Sequence, residues 1–185
     1  EVGIYDSVPN LLKNSIDCDS LVYYRVFVKA PSNVEYYVKP EATGTGDGSS
    51  WKDAMSAETF AKYLPLSESS TFYVAEGTYK PIYDENLRKP SNLKALCYVV
   101  SGNTTIIGGF PIDAKKNPRS NPEKYNTIFD GEGDHEGIIM FRLYGSLSLS
   151  GIKLRGSGYN NFGAIMTFND NLRLNIDNSV FYENN

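Results

Sequence analysis

The sequence predicts an all-β fold, a parallel β-helix solenoid with one capping helix near its start. Three observations carry that expectation. Short β-branched and aromatic runs alternate with Gly, Asn, Asp and Ser punctuation, the pattern of strands and turns. Gly137-Ile138-Ile139-Met140 is answered by Gly163-Ala164-Ile165-Met166 about 26 residues later, a period in the range of solenoid repeats. One stretch alone, Trp51 to Tyr63, shows helical apolar spacing.

Composition narrows the function classes. A chain of 185 residues is long enough for one well-buried core. A net charge of -4, without clustered Lys and Arg, excludes nucleic acid as the expected partner, because a phosphate backbone must be neutralised by basic side chains. Cys18 lies in Asp17-Cys18-Asp19 and Cys97 in the apolar run Leu96 to Val100. Their spacing pairs them with nothing, and Cys97 is expected to pack as a small hydrophobe. No apolar stretch approaches the roughly 20 residues a membrane-spanning helix needs. The chain begins at Glu1 and shows no signal peptide, as expected of a processed chain or one cut from a longer protein.

Residues 1–36 read as an N-terminal arm, fitting the tail of a preceding domain. Strands are expected at Leu21 to Val28 and Val34 to Val38, paired as a hairpin across Ala30-Pro31-Ser32-Asn33. Val8 to Asn14 is open between an extended arm and a short helix. Residues 37–70 form the start of the stack. Within them the glycine-rich segment Gly44 to Ser50 leads to the helix expected at 51–63, where Ser50 and Asp53 have capping-box spacing and Trp51, Ala54, Met55 and Phe60 supply an apolar face. A phosphate loop is excluded there, since the Lys followed by Ser or Thr after the glycines is missing.

Residues 71–185 form the coils, with strands clearest at Thr71 to Val74, Leu96 to Val100, Thr104 to Ile107 and Thr127 to Phe129. Leu147-Ser148-Leu149 is matched to Leu172-Arg173-Leu174, and Gly151-Ile152-Lys153-Leu154 to Ser179-Val180-Phe181-Tyr182, giving three strands per turn. A coil of this length cannot bury its own apolar face, so coils must stack, and the helix covers the first one. The sequence stops at Phe181-Tyr182-Glu183-Asn184-Asn185 without a polar cap. Further coils are therefore expected in the parent protein, as is end-to-end self-association at the open edge.

These residues resemble the bacterial surface β-helix proteins with repeats of the polymorphic outer membrane protein type, which are adhesin-like and pectate-lyase-shaped. The resemblance runs from Tyr37-Val38-Lys39-Pro40 and Gly46 to Ala54, through Phe72 to Tyr79 and Thr105 to Phe110, to Asn117-Pro118-Arg119 and Asn126 to Gly131. The repeat signature, GGA with an aliphatic residue paired with FxxN, stands here as Phe162-Gly163-Ala164-Ile165 and Phe181-Tyr182-Glu183-Asn184, with Phe162 in place of the first glycine. The resemblance implies a right-handed parallel β-helix and secretion or display on a bacterial cell or outer-membrane surface. It also implies adhesion, with a glycan or a host surface protein as partner. Trp51, Gly77, Gly108, Gly109, Gly163, Phe181 and Asn184 are the structural residues expected from it, Phe181 stacking in the core and Asn184 bonding backbone at a corner.

The sequence assigns no catalytic residue. Asp130, Glu132 and Asp134, with glycines between them, could hold Ca2+ through carboxylate oxygens, but their spacing is not that of an EF-hand and they read first as a solvated turn, so no cofactor is expected. His135 has no His or Cys partner nearby. Arg142, Arg155 and Arg173 do not share the repeat spacing, and Asp170, Asp177 and Glu183 are scattered among asparagines expected at corners, so no lyase-type cluster is evident. Tyr73, Tyr98 and Tyr182 fall in strand runs and read as core. Tyr144 and Tyr159 sit near turns and are the expected sugar-contact residues. The leading expectation is a non-enzymatic binding module. A fragment of a polysaccharide lyase or glycoside hydrolase, and a purely structural cap or stalk, are the alternatives.

Overall fold

The computed structural model describes residues 2–13, 19–84, 86–90, 95–135, 139–157, 163–167 and 172–184, with side chains for all of these except 12, 13, 19, 20, 134, 135 and 139–144. Twelve strands and one short α-helix are described. In chain order they are β1 (Gly3–Lys13), β2 (Asp19–Val28), β3 (Val34–Val38), α1 (Ala57–Tyr63), β4 (Ser69–Ala75), β5 (Gly77–Tyr79), β6 (Tyr98–Phe110), β7 (Thr127–His135), β8 (Ile139–Ser150), β9 (Ile152–Ser157), β10 (Ile165–Thr167), β11 (Arg173–Asp177) and β12 (Val180–Tyr182).

The strands form three small sheets. β1 and β2 pair antiparallel by themselves. A parallel sheet runs β3-β4-β6-β8-β10, with β11 also on β8, and a second parallel sheet runs β5-β7-β9-β12. These separate parallel and antiparallel sheets correct the expectation of a closed right-handed parallel β-helix with three strands per turn. The reason lies at two glycines. In β6 and β8 two extended segments run on as one strand, because these strands bend at Gly102 and Gly145 and stay in the same sheet. Both glycines have positive φ, 72° and 153°. A Cβ on Gly102 would strike the Glu68 carbonyl, and one on Gly145 the carbonyl of Gly102. Only glycine allows both that backbone and that approach.

The internal repeat survives as pairing register. Ile165 and Met166 lie beside Ile139 and Met140, as the sequence match has it. The next two matches are shifted: Leu174 rather than Leu172 pairs with Leu147, and Phe181 rather than Tyr182 with Leu154. The expected hairpin is also corrected. β2 pairs with β1, which settles Val8 to Asn14 as strand as far as Lys13, while β3 joins β4 in parallel. The turn residues between β2 and β3 are tied down instead, Ala30 N–H donating to Leu66 O at 2.9 Å and Asn33 N–H to Ser69 O. Val34 to Val38 then buries Tyr36 and Val38 in the core, which a surface hairpin could not do.

The main core lies between the two parallel sheets. Phe72, Ile106, Leu147 and Leu149 face it from one sheet, and Phe129, Ile152 and Leu154 from the other. The helix is shorter than expected. Ser50 and Asp53 do bond reciprocally, Asp53 N–H to Ser50 Oγ at 3.1 Å and Ser50 Oγ–H to Asp53 Oδ2 at 3.0 Å, but they close a turn. α1 starts six residues later on a second cap, Ser56, whose Oγ accepts from Thr59 N–H at 3.1 Å. It drives Phe60 into the core against Phe72, Tyr98 and Phe129, with ring centroids 5.2 to 5.9 Å apart. Removing that ring would cost on the order of 3–5 kcal/mol.

Candidate functional site

In β3 and β4, side chains alternate between core and surface. Tyr36 and Phe72 point inward, so their register neighbours Tyr37 and Tyr73 lie side by side on the outer face, stacked at 5.3 Å and 26°. Trp51 comes to the same place from the glycine-rich loop. That loop is pinned to β3 by Tyr37 N–H donating to Gly48 O at 2.9 Å, and to itself by Thr45 N–H donating to Asp53 Oδ1 at 3.1 Å. The Thr45 amide first, then the Ser50 hydroxyl, hold the Asp53 carboxyl below its ordinary pKa. Trp51 packs on Tyr37 at 5.1 Å and on Phe110 at 5.2 Å, and Phe110 meets Tyr73 edge-on at 5.8 Å. Tyr37, Trp51, Tyr73 and Phe110 thus form one aromatic wall outside the main core.

Two adjoining hollows flank the wall and share Tyr37, Trp51 and Asn117. The larger is a groove of about 720 Å³ between the glycine-rich loop and the segment from Asp113 to Asn117. It is lined by Tyr37, Trp51, Thr43, Ser49, Ser50, Ala114, Asn117, one aspartate, Asp113, and four lysines, Lys39, Lys52, Lys115 and Lys116. The smaller, about 320 Å³, adds Glu35, Tyr73, Phe110 and Ser120. Tyr73 Oη–H donates to Glu35 Oε1 at 2.9 Å. Burial first, and then this carboxylate, push the Tyr73 phenol up to about 12. With Trp51 and Phe110 buried behind them, the half-buried rings of Tyr37 and Tyr73 offer aromatic surface, and the lining adds hydroxyls and ammonium groups, the means of holding a polar, flat-faced ligand.

Of the residues singled out from the sequence, Trp51 stands in the wall, and Asp130 and Glu132 are not among the residues lining either hollow. Tyr159 is outside the described residues, and Tyr144 lies in β8, its side chain outside the description. Asp130 accepts from Arg155 through Oδ2, from Nε at 3.0 Å and Nη2 at 2.7 Å, while its Oδ1 takes the Glu132 amide at 2.9 Å. Burial raises the Asp130 pKa, but these donors outweigh it and hold the carboxyl below its ordinary value. Glu132 pairs with Lys80 at 2.6 Å. Both carboxylates are therefore engaged by cations of the chain. The Asp134 side chain is not described, and the described residues hold no group of three metal-ligating side chains.

Among the expected structural residues, Trp51 is buried, but in the aromatic wall rather than on a helix face. A Cβ on Gly77 would meet Pro40, on Gly108 Gly151 and Thr127, and on Gly109 Pro122, whereas Gly163 is open to an added side chain. Asn184 bridges a corner, taking Ser157 N–H and donating to Leu154 O, both at 3.0 Å. Phe181 does not stack in the core; it is 43% exposed.

Sequence reasoning missed the wall because it assigned Tyr73 to the core and Trp51 to a helix. The available signal was the alternation in Glu35-Tyr36-Tyr37-Val38 and Thr71-Phe72-Tyr73-Val74, where each strand carries one aromatic on either face. Among the described residues no helix is long and apolar enough to cross a membrane. Comparison of the chain with protein-family models, with curated proteins and with solved structures finds no match.

Proposed function

We propose that this chain is a non-enzymatic binding module of a secreted or surface-displayed protein, and that the groove beside Tyr37 and Trp51 is its glycan site. The aromatic wall carries the reading. Sugar rings present apolar C–H faces that pack on aromatic surface, while the hydroxyls, Asn117 and the lysines at the rim supply hydrogen bonds. Glycoside hydrolysis takes two carboxyl groups flanking one bond, and the larger groove has one among its lining residues, Asp113. In the smaller hollow Glu35 is occupied by the Tyr73 hydroxyl.

A glycan array probed with the purified chain and with Tyr37→Ala tests this, alongside incubation with neutral and acidic polysaccharides monitored for new chain ends. Binding that Tyr37→Ala abolishes, without cleavage, is the expected result. Chain cleavage would replace the binding module by an enzyme, and an array without any bound glycan would end the reading.

A further inference from the structure

The lysines of the groove go beyond its aromatic wall. The chain as a whole has more acidic than basic residues, 22 against 18, yet the groove gathers four lysines around a single aspartate. One of them is unusual. Lys39 is only 9% exposed, lines the groove directly after β3, and finds no hydrogen-bond or ion-pair partner for its ammonium among the described residues. Its backbone is fixed, its N–H donating to Met55 O at 3.0 Å. Its stem is covered, but its ammonium is not among the buried polar atoms left without a partner, so the charged head reaches solvent and is free to meet an anion in the groove. At the rim, Lys115 and Lys116 are exposed and add to the same positive field. Charges of one sign in a cleft raise the local concentration of the opposite sign.

We infer that the groove takes an anionic glycan, a polysaccharide bearing carboxylate or sulfate groups, whose charge sits on the Lys39 ammonium while its sugar ring packs beside Trp51 and Tyr37. This rests on the glycan reading above and specifies its ligand class. Lys39 supplies the counter-charge within the groove; Lys115 and Lys116 contribute longer-range attraction, which salt screens. The site therefore distinguishes an acidic polysaccharide from its neutral counterpart by charge, at constant ring shape.

Titration calorimetry on the whole chain with matched oligosaccharides, one neutral, one carboxylated and one sulfated, tests it at low and high salt. The acidic members are expected to bind at least about tenfold more tightly than the neutral one, whichever of the two anions is preferred. Lys39→Met keeps the apolar stem and removes the charge; it should erase that preference, bringing the acidic affinities down to the level of the neutral one. Lys115→Gln with Lys116→Gln, both exposed positions, should reduce the acidic affinity a few-fold and flatten its salt dependence, and guards against Lys39→Met failing to fold. Equal binding of neutral and acidic members, unaltered by either variant, overturns the inference and leaves the glycan reading standing. No binding of any member overturns both.

Discussion

Tyr79 and Tyr98 make a matched pair for testing how the core is held. Both are buried and both pack on Phe129, at 5.8 and 5.1 Å. Tyr79 Oη–H donates to the Ala75 carbonyl at 3.0 Å. The Tyr98 hydroxyl has no partner among the described residues. A buried hydroxyl without a partner forfeits its hydration for nothing, at about 1–3 kcal/mol, whereas a satisfied one returns about 0.5–1.5 kcal/mol net. Tyr98→Phe leaves the ring in place and removes the unpaired oxygen, so it should stabilise the protein by about 1–2 kcal/mol. Tyr79→Phe removes one of two donors to the Ala75 carbonyl, which keeps the Thr127 hydroxyl at 3.1 Å, and should destabilise by about 0.5–1.5 kcal/mol. For a chain of this size, each kcal/mol corresponds to about 2–4 °C in Tm. Urea unfolding of the two variants beside the parent gives the comparison directly, the midpoints moving in opposite directions with unchanged slope. Equal destabilisation by both substitutions would refute the reasoning, and would mean that the Tyr98 hydroxyl is hydrogen-bonded in solution.

Asp130→Asn should lower stability by about 1–2 kcal/mol by loosening the Arg155 pair, which is partly open to solvent on the arginine side. Because the Asp130 pKa is lowered in the fold, its contribution is present above the ordinary value of 3.8 and is lost as pH falls through the folded value beneath it. The gap between parent and variant, followed by thermal melts, should therefore close only below about pH 4. The Tyr73 phenol, pushed up to about 12, should ionise after the exposed tyrosines in an alkaline absorbance titration, and Glu35→Gln should bring it down. Whatever stability its raised pKa confers is present below 10.0 and disappears as pH rises through about 12. Gly145→Ala should cost at least about 1–3 kcal/mol, since φ is positive and the Gly102 carbonyl occupies the Cβ position; an unchanged denaturation midpoint would contradict the account of the bend.

The parts of the fold that were legible are those set by local alternation and by the repeat. Val34 to Val38 and Thr71 to Val74 were visible as strands because β-branched and aromatic residues alternate, and Ile139 with Ile165 was visible as a pair because the repeat preserves both. What could not be read was continuity. Nothing local distinguishes a corner that ends a strand from one that bends it, and Gly102 and Gly145 do the latter. The helix start was misplaced for a related reason: Ser50 and Asp53 form a capping box in geometry, yet they close a turn at Lys52 and Asp53, after which Met55 runs beside Val38 and is buried in the core. The groove was illegible because its walls come from β3, the glycine-rich loop and the Asp113 to Asn117 segment, which are brought together only by the parallel pairing.

Trp51 is the only tryptophan in the chain, and it stands in the wall of the candidate site with a tyrosine ring 5.1 Å away. The protein consequently carries a built-in optical reporter at that one place. Its indole emission, excited directly or by transfer from Tyr37, responds to what enters the groove and to whether the glycine-rich loop stays seated, while the β1–β2 ribbon, which has no indole of its own, contributes none of that signal.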